Sequence, residues 1–130
     1  MARVRIKWLD SESATSGQVP AANGSGGAAW QDQAGRTLVA TITSAASPYT
    51  ITTATTVLCN AAGGAITVNL PAASGNSGKI LNVKKTDSSV NNVTVDGNVA
   101  ETIDGALTQA LKKQWDSIQI QCDGSNWFII

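Results

Sequence analysis

The sequence predicts an all-β protein: an antiparallel β-sandwich or jelly-roll-like body preceded by an extended N-terminal arm. Three observations carry this expectation. Short runs of alternating apolar and polar residues recur, as in Ile66-Thr-Val-Asn-Leu70 and Val93-Thr-Val-Asp96. Small and turn-forming residues separate those runs, including Asp-Gly pairs at 96–97, 104–105 and 123–124 that favour hairpins. No stretch shows the apolar spacing of an amphipathic helix. With 130 residues, 42% of them hydrophobic, the chain suffices for one domain with one core.

The elements follow in order. Arg3, Arg5 and Lys7 alternate with Val4, Ile6 and Trp8, which gives a half-buried strand with a basic outer face. Asp10 to Gly27 is rich in Ser, Ala, Gly and Asn without periodicity and reads as an extended arm. Pro20 keeps any strand there at an edge or ends it. The run Thr37-Leu-Val-Ala-Thr-Ile-Thr43 is a strand with Leu38, Ala40 and Ile42 on one face, closed by a turn at Ser47-Pro48. Tyr49 to Cys59 is again strand material. Ile66, Val68 and Leu70 form a buried face, as do Leu81 with Val83 and Val93 with Val95. Two further strands, Leu107 to Leu111 and Trp115 to Cys122, flank a basic turn at Lys112-Lys113, and Asn126 to Ile130 is the last strand. Residues 1–30 are therefore expected to be an attachment strand and arm, and 31–130 the β-rich body.

Nine basic and nine acidic side chains give zero formal charge. That argues against nucleic-acid binding, which needs surplus Lys and Arg to neutralise phosphates. No stretch is long and apolar enough for a membrane span. The opening MARVRIKWLD has no apolar run behind its basic residues, so the chain is expected to be made in, and to stay in, a cytoplasm until something carries it out. Histidine is absent, which removes the commonest general base and metal ligand. Gly75-Asn-Ser-Gly-Lys79 departs from a phosphate loop, with Ala73 and Ile80 at the positions of the missing Gly and Ser or Thr. Asp96, Glu101 and Asp104 are candidate carboxylates, but two of them precede Gly in turns and their spacing fits no calcium loop. No catalytic residue, metal or cofactor is expected. Cys59 and Cys122 each end a predicted strand on its apolar side, as two buried hydrophobes or as a disulfide.

From Gly63 to Asn98 the chain reads GGAITVNLPAASGNSGKILNVKKTDSSVNNVTVDGN. This order of a Gly-Gly-Ala strand, a Leu-Pro-Ala-Ala turn, a Gly-Lys strand, a Lys-Thr-Asp turn and a Val-Thr-Val-Asp-Gly strand resembles the β modules of tailed-phage virion surface proteins. These are tail-fibre, head-fibre and capsid-decoration proteins. Ser16 to Trp30, with its Gly-Gln-Val, Asn-Gly, Gly-Gly and closing Trp, resembles the same proteins. The resemblance implies a non-enzymatic virion protein, assembled in the bacterial cytoplasm and commonly a homotrimer. It also implies that other virion proteins, such as the major capsid or tail proteins, are its partners. The short stretch before the fibre-like unit favours capsid decoration. The alternative is a short tail-fibre or tail-tip protein that binds a host-surface glycan.

Two features suggest where subunits meet. The last strand is apolar on both faces, with Trp127 and Ile129 on one and Phe128 and Ile130 on the other, where a sandwich needs one. Trp115 falls on the face opposite Ile118 and Ile120. A bulge that gathers these groups into one core is the competing explanation. Trp8, Trp30, Trp115 and Trp127 lie on separate strands, which suits core or interface positions better than a sugar-stacking platform. The candidate assembly residues are thus Arg3, Arg5, Lys7, Trp8, Trp30, Trp115, Trp127 and Phe128, with the basic trio suited to an acidic particle surface.

Overall fold

The computed structural model describes residues 38–130 in full and, before them, the backbones of Gln18–Ala22 and Ala28–Asp32. The chain divides into two compact units, Met1–Arg36 and Thr37–Ile130. In the first, β1 (Gln18–Ala22) and β2 (Ala28–Asp32) pair antiparallel, with Pro20 opposite Trp30; β1 lies in the stretch read as an extended arm, and β2 follows it and runs past the expected boundary at residue 30. A two-stranded ribbon consists of edges only, which is where Pro is tolerated.

The regular elements of the second unit are strands, apart from one 3-10 turn at Ser44–Ala46: β3 (Val39–Thr43), β4 (Tyr49–Thr50), β5 (Thr56–Asn60), β6 (Ile66–Asn69), β7 (Ile80–Lys85), β8 (Val93–Asp96), β9 (Thr108–Leu111), β10 (Ser117–Cys122) and β11 (Trp127–Ile129). Val, Ile and Thr dominate β3, β6 and β8, whose branched side chains suit a pleated surface. A five-stranded sheet has the order β11-β10-β7-β5-β3, and a four-stranded sheet the order β4-β6-β8-β9. From β3 to β8 the chain alternates between the two sheets. Each turn of this coil lays one strand in each sheet, beside and parallel to the strand of the turn before. Then β9, β10 and β11 run antiparallel to their neighbours and end the coil.

The expected all-antiparallel order is therefore corrected: both sheets are mixed. Parallel neighbours cannot be joined by a tight hairpin and need a crossover. Here the crossover is a strand of the other sheet. The Asp-Gly signals keep their hairpin meaning only after the coil, where Asp123 and Gly124 join β10 to β11 and Asp104 and Gly105 turn between the bridged Ile103 and Ala106. Both sheets contribute to one core. Ile42, Val57, Cys59, Leu81, Val83, Ile118, Ile120, Cys122 and Trp127 come from the larger sheet, and Ile66, Val68, Val93, Val95 and Leu111 from the smaller. Cys59 and Cys122 are free and buried. Two strand spacings (~10 Å) and about six residues along the strands (~20 Å) separate them, since Cys59 is level with Lys85 of β7 whereas Cys122 lies beyond the Gln121–Ile80 pair at the other end, so they are out of disulfide reach.

One charged side chain enters this core. Lys85 follows Leu81 and Val83 in the inward phase of β7 and is fully buried. Its ammonium meets both Asp87 oxygens, at 2.8 and 2.7 Å. The same carboxylate accepts the backbone N–H of Ala61 at 2.7 Å and of Ser89 at 2.9 Å. Ser89 Oγ and Asn91 Nδ2 donate to the Ala61 carbonyl, and Thr86 Oγ1 donates to that of Cys59. The network fastens the turn after β7 to the turn after β5, tying successive coils together at one end. Asp87 therefore matters to more groups than Lys85 does. Asp87→Ala strands a buried ammonium and two backbone donors, and is expected to cost ~3–5 kcal/mol in urea melts. Lys85→Met also leaves Asp87 without its counter-charge, but the carboxylate keeps its backbone donors, so the cost should fall below that of Asp87→Ala; the reverse order would refute this reading.

The pair also sets a pH window. Burial alone would raise the Asp87 carboxyl, but hydrogen bonds from Lys85, Ser89 and the Ala61 N–H outweigh it and hold it far below the usual carboxylate range. Burial, with a smaller contribution from the Asp87 charge, pushes the Cys59 thiol up to about 12. A depressed carboxyl gives stability that is present above the unfolded value of ~3.9 and lost as pH falls through the folded one. A raised thiol gives stability that is present below ~8.5 and lost as pH climbs towards the folded value. Thermal melts should plateau between these limits and decline on both sides, and Cys59→Ala should flatten the alkaline limb.

Candidate assembly interface

Strand alternation and register define the outward face of the five-stranded sheet. One row crosses it through Phe128, Gln121 and Ile80, and the next through Gln119, Asn82, Thr56 and Val39. A third contains Ser117, Lys84, Leu58 and Thr41. Lys84 is the single charged residue in these rows. Three apolar members are well exposed, Val39 at 58%, Phe128 at 43% and Ile80 at 40%, and Leu58 is half-buried. Ile130, tied to β10 by its N–H to the Gln119 carbonyl, adds a further exposed apolar group. Loss of charge together with exposed aromatic and aliphatic groups is the compositional mark of an interface centre.

Trp115 stands beside this face, on the turn between β9 and β10. Its φ is +72°, a left-handed conformation that costs a non-glycine residue roughly 1–2 kcal/mol. Hydrogen bonds enforce it. The Trp115 N–H donates to the Lys85 carbonyl, and Lys84 Nζ donates to the Trp115 carbonyl at 3.0 Å. Asp116 Oδ2 accepts the N–H groups of Lys113 and Lys112 at 2.9 and 3.0 Å, which holds its carboxyl below the usual range. The indole is 59% exposed, with the Lys84 ammonium 5.8 Å from its ring centre. The turn thus presents a large aromatic ring to solvent on a rigid base.

The two residues taken together on the last strand separate. Trp127 is completely buried in the core, its Nε1 without a hydrogen-bond partner among the described residues. It drops out of the candidate interface, while Phe128 on the opposite face stays in it. The free edge of β11 is covered by the segment before β9: Trp127 N–H donates to the Thr102 carbonyl, Asp104 N–H to that of Trp127, and Ile129 N–H to Asp104 Oδ1.

Arg3, Arg5, Lys7 and Trp8 lie outside the described residues, and Trp30 lies on β2. Val39, Leu58, Ile80, Gln119 and Gln121 were missed by sequence reasoning. Their signal was present, as outward positions of predicted strands that carry no charge. Two of the three carboxylates considered for chemistry have backbone partners instead: Glu101 accepts the Ala73 N–H through both oxygens at 3.0 Å, and Asp104 accepts that of Ile129. The Gly75–Gly78 stretch leads into β7, so no helix N-terminus stands there to meet a phosphate. Among the described residues no group of three or more acidic, Cys or His side chains is placed to hold a metal ion, and no helix is long and apolar enough to cross a membrane. No protein-family model matches the sequence, and no curated protein matches it.

Glycine adopts the conformation of Trp115 without strain. Trp115→Gly should therefore melt no lower than the parent, and up to ~1 kcal/mol higher in stability. A marked loss of stability would make the indole a structural group and remove it from the interface.

Proposed function

We propose that this protein is a non-enzymatic structural protein of a phage virion, a homotrimeric capsid-decoration protein of the cement or head-fibre type. The observation that carries the reading is the outward face of the five-stranded sheet, apolar and polar by turns, with Lys84 as its one charge. The occupant of that face is a further copy of the same chain. Zero formal net charge leaves no long-range repulsion between copies. Phe128, Ile80 and Trp115 supply apolar and aromatic anchors, and Gln119, Gln121 and Asn82 supply donors and acceptors that pair across a two- or threefold axis.

The virion assignment and the trimer come from the resemblance of Gly63 to Asn98, the stretch that contains β6, β7 and β8. The closed edge of β11 favours association through faces over strand addition at that edge. The basic trio Arg3, Arg5 and Lys7 would bind the acidic surface of a major capsid or tail protein.

Sedimentation velocity at micromolar concentration tests the assembly. A trimer is expected for the parent, and a monomer with unchanged far-ultraviolet dichroism for Phe128→Glu and Ile80→Glu. A monomeric parent, or variants that remain trimeric, would overturn the interface. Immunogold labelling of intact particles tests the location, and unlabelled heads count against decoration.

A further inference from the structure

A separate hollow lies at the carboxy ends of the strands of the smaller sheet. Thr50, Asn69, Leu70, Asp96, Gly97, Asn98 and Val99 line this open hollow, whose volume is about 320 Å³. From this we infer that the hollow binds one unit of a neutral, polyhydroxylated ligand, a saccharide residue. The inference does not depend on the assembly reading, since it concerns the other sheet and none of the tryptophans lines the hollow.

The register assembles the polar groups. Thr50, Asn69 and Asp96 are direct cross-strand neighbours on β4, β6 and β8, all on the outward side of the sheet. Neighbouring strands stand ~4.8 Å apart, so a hydroxyl, an amide and a carboxylate form a short ladder. Among the described residues the Asp96 carboxylate and the Asn98 amide enter no side-chain hydrogen bond, and Asn69 Nδ2 has only a long one, 3.4 Å, to Thr50 Oγ1. These groups are free to meet a ligand.

The rim is strained. Val99 is 91% exposed and has φ +53°, an outlier for a β-branched residue. Such strain persists only where the surroundings enforce it. Here Gly97 N–H donates to the Leu107 carbonyl, Leu70 N–H to that of Asp96, and Glu101 N–H to that of Asn98. A Cβ on Gly97 would overlap the Glu101 carbonyl, so only glycine fits behind the rim. Glu101 is itself anchored by the Ala73 N–H. The loop is therefore locked with an isopropyl group facing outward, a costly place for Val unless something packs on it.

The lining selects the ligand class. No basic residue lines the hollow, which disfavours phosphates and carboxylates. A single carboxylate gives the hollow little of the ligand charge on which calcium affinity depends. A saccharide hydroxyl both donates and accepts, so it satisfies an acceptor-only carboxylate and a two-way amide alike. Val99 offers an apolar wall to the C–H face of a ring. The volume sits at the lower end of the ~300–1,000 Å³ usual for ligand sites, which fits a single unit.

The test is a titration of the ¹⁵N-labelled full chain with methyl glycosides of glucose, galactose, mannose and rhamnose, and with N-acetylglucosamine. Calcium chloride and inorganic phosphate are titrated separately. At least one sugar should shift the amides of Leu70, Gly97, Asn98 and Val99 saturably, and at least tenfold more weakly in Asp96→Ala and Asn69→Ala. Val99→Gly should melt higher yet bind the sugar more weakly. The inference is overturned if no sugar moves these amides, if Asp96→Ala binds as the parent does, or if only calcium or phosphate moves them.

Discussion

The pairing of Lys85 with Asp87 is the constraint on which the rest of the second unit depends. A coil that alternates between two sheets brings the turns of successive coils to the same end, where backbone N–H and C=O groups gather without strand partners. Leaving such a group buried and unpaired costs ~1–3 kcal/mol. A single carboxylate answers much of this need, accepting from Ala61 in one turn and Ser89 in the next. That carboxylate is itself barely exposed and needs a counter-charge, which Lys85 brings from within the core. The ammonium is thus less a source of stability than the condition for placing Asp87 where the backbone requires it. With the two turns fastened, β5, β7, β6 and β8 are held in register, and both outward faces follow from that register.

Much of the body was legible in the sequence. The inward sets Ile66, Val68 and Leu70, Leu81 and Val83, and Val93 and Val95 are all buried as their alternation requires. The strand directions were not legible. Alternation reports that one face of a strand is buried and is silent on which way its neighbour runs. Parallel strands usually betray themselves as continuous apolar runs because both faces are covered; here the outward faces hold Thr, Asn and Gln, so that signal is missing. Lys85 was passed over for a related reason. It reads as the start of the Lys-Thr-Asp turn, yet its phase with Leu81 and Val83 already placed it inside.

The candidate sites show the same division. Trp115 and Phe128 stood out in the sequence by residue type. The face that joins Phe128 to Ile80 does not, because it depends on β10 lying between β7 and β11. The row of Thr50, Asn69 and Asp96 is equally invisible, since its members come from three different coils. Sequence reasoning identifies unusual residues well; the sites here consist of ordinary residues brought into line by parallel register.

The covering of β11 bears on solubility. Asn-Trp-Phe-Ile-Ile, residues 126–130, is short, apolar and uncharged, the composition from which cross-β aggregates nucleate when an edge is free. In the folded chain the segment from Thr102 to Asp104 occupies that edge, and the Asp104 carboxylate takes the Ile129 N–H that another chain would otherwise capture. Asp tolerates the left-handed backbone this position demands, φ +50°, better than most residues do. Asp104 therefore acts as a gatekeeper. Its worth is measured less in the melting temperature of a dilute sample than in whether many copies can be made together in one cell without clumping.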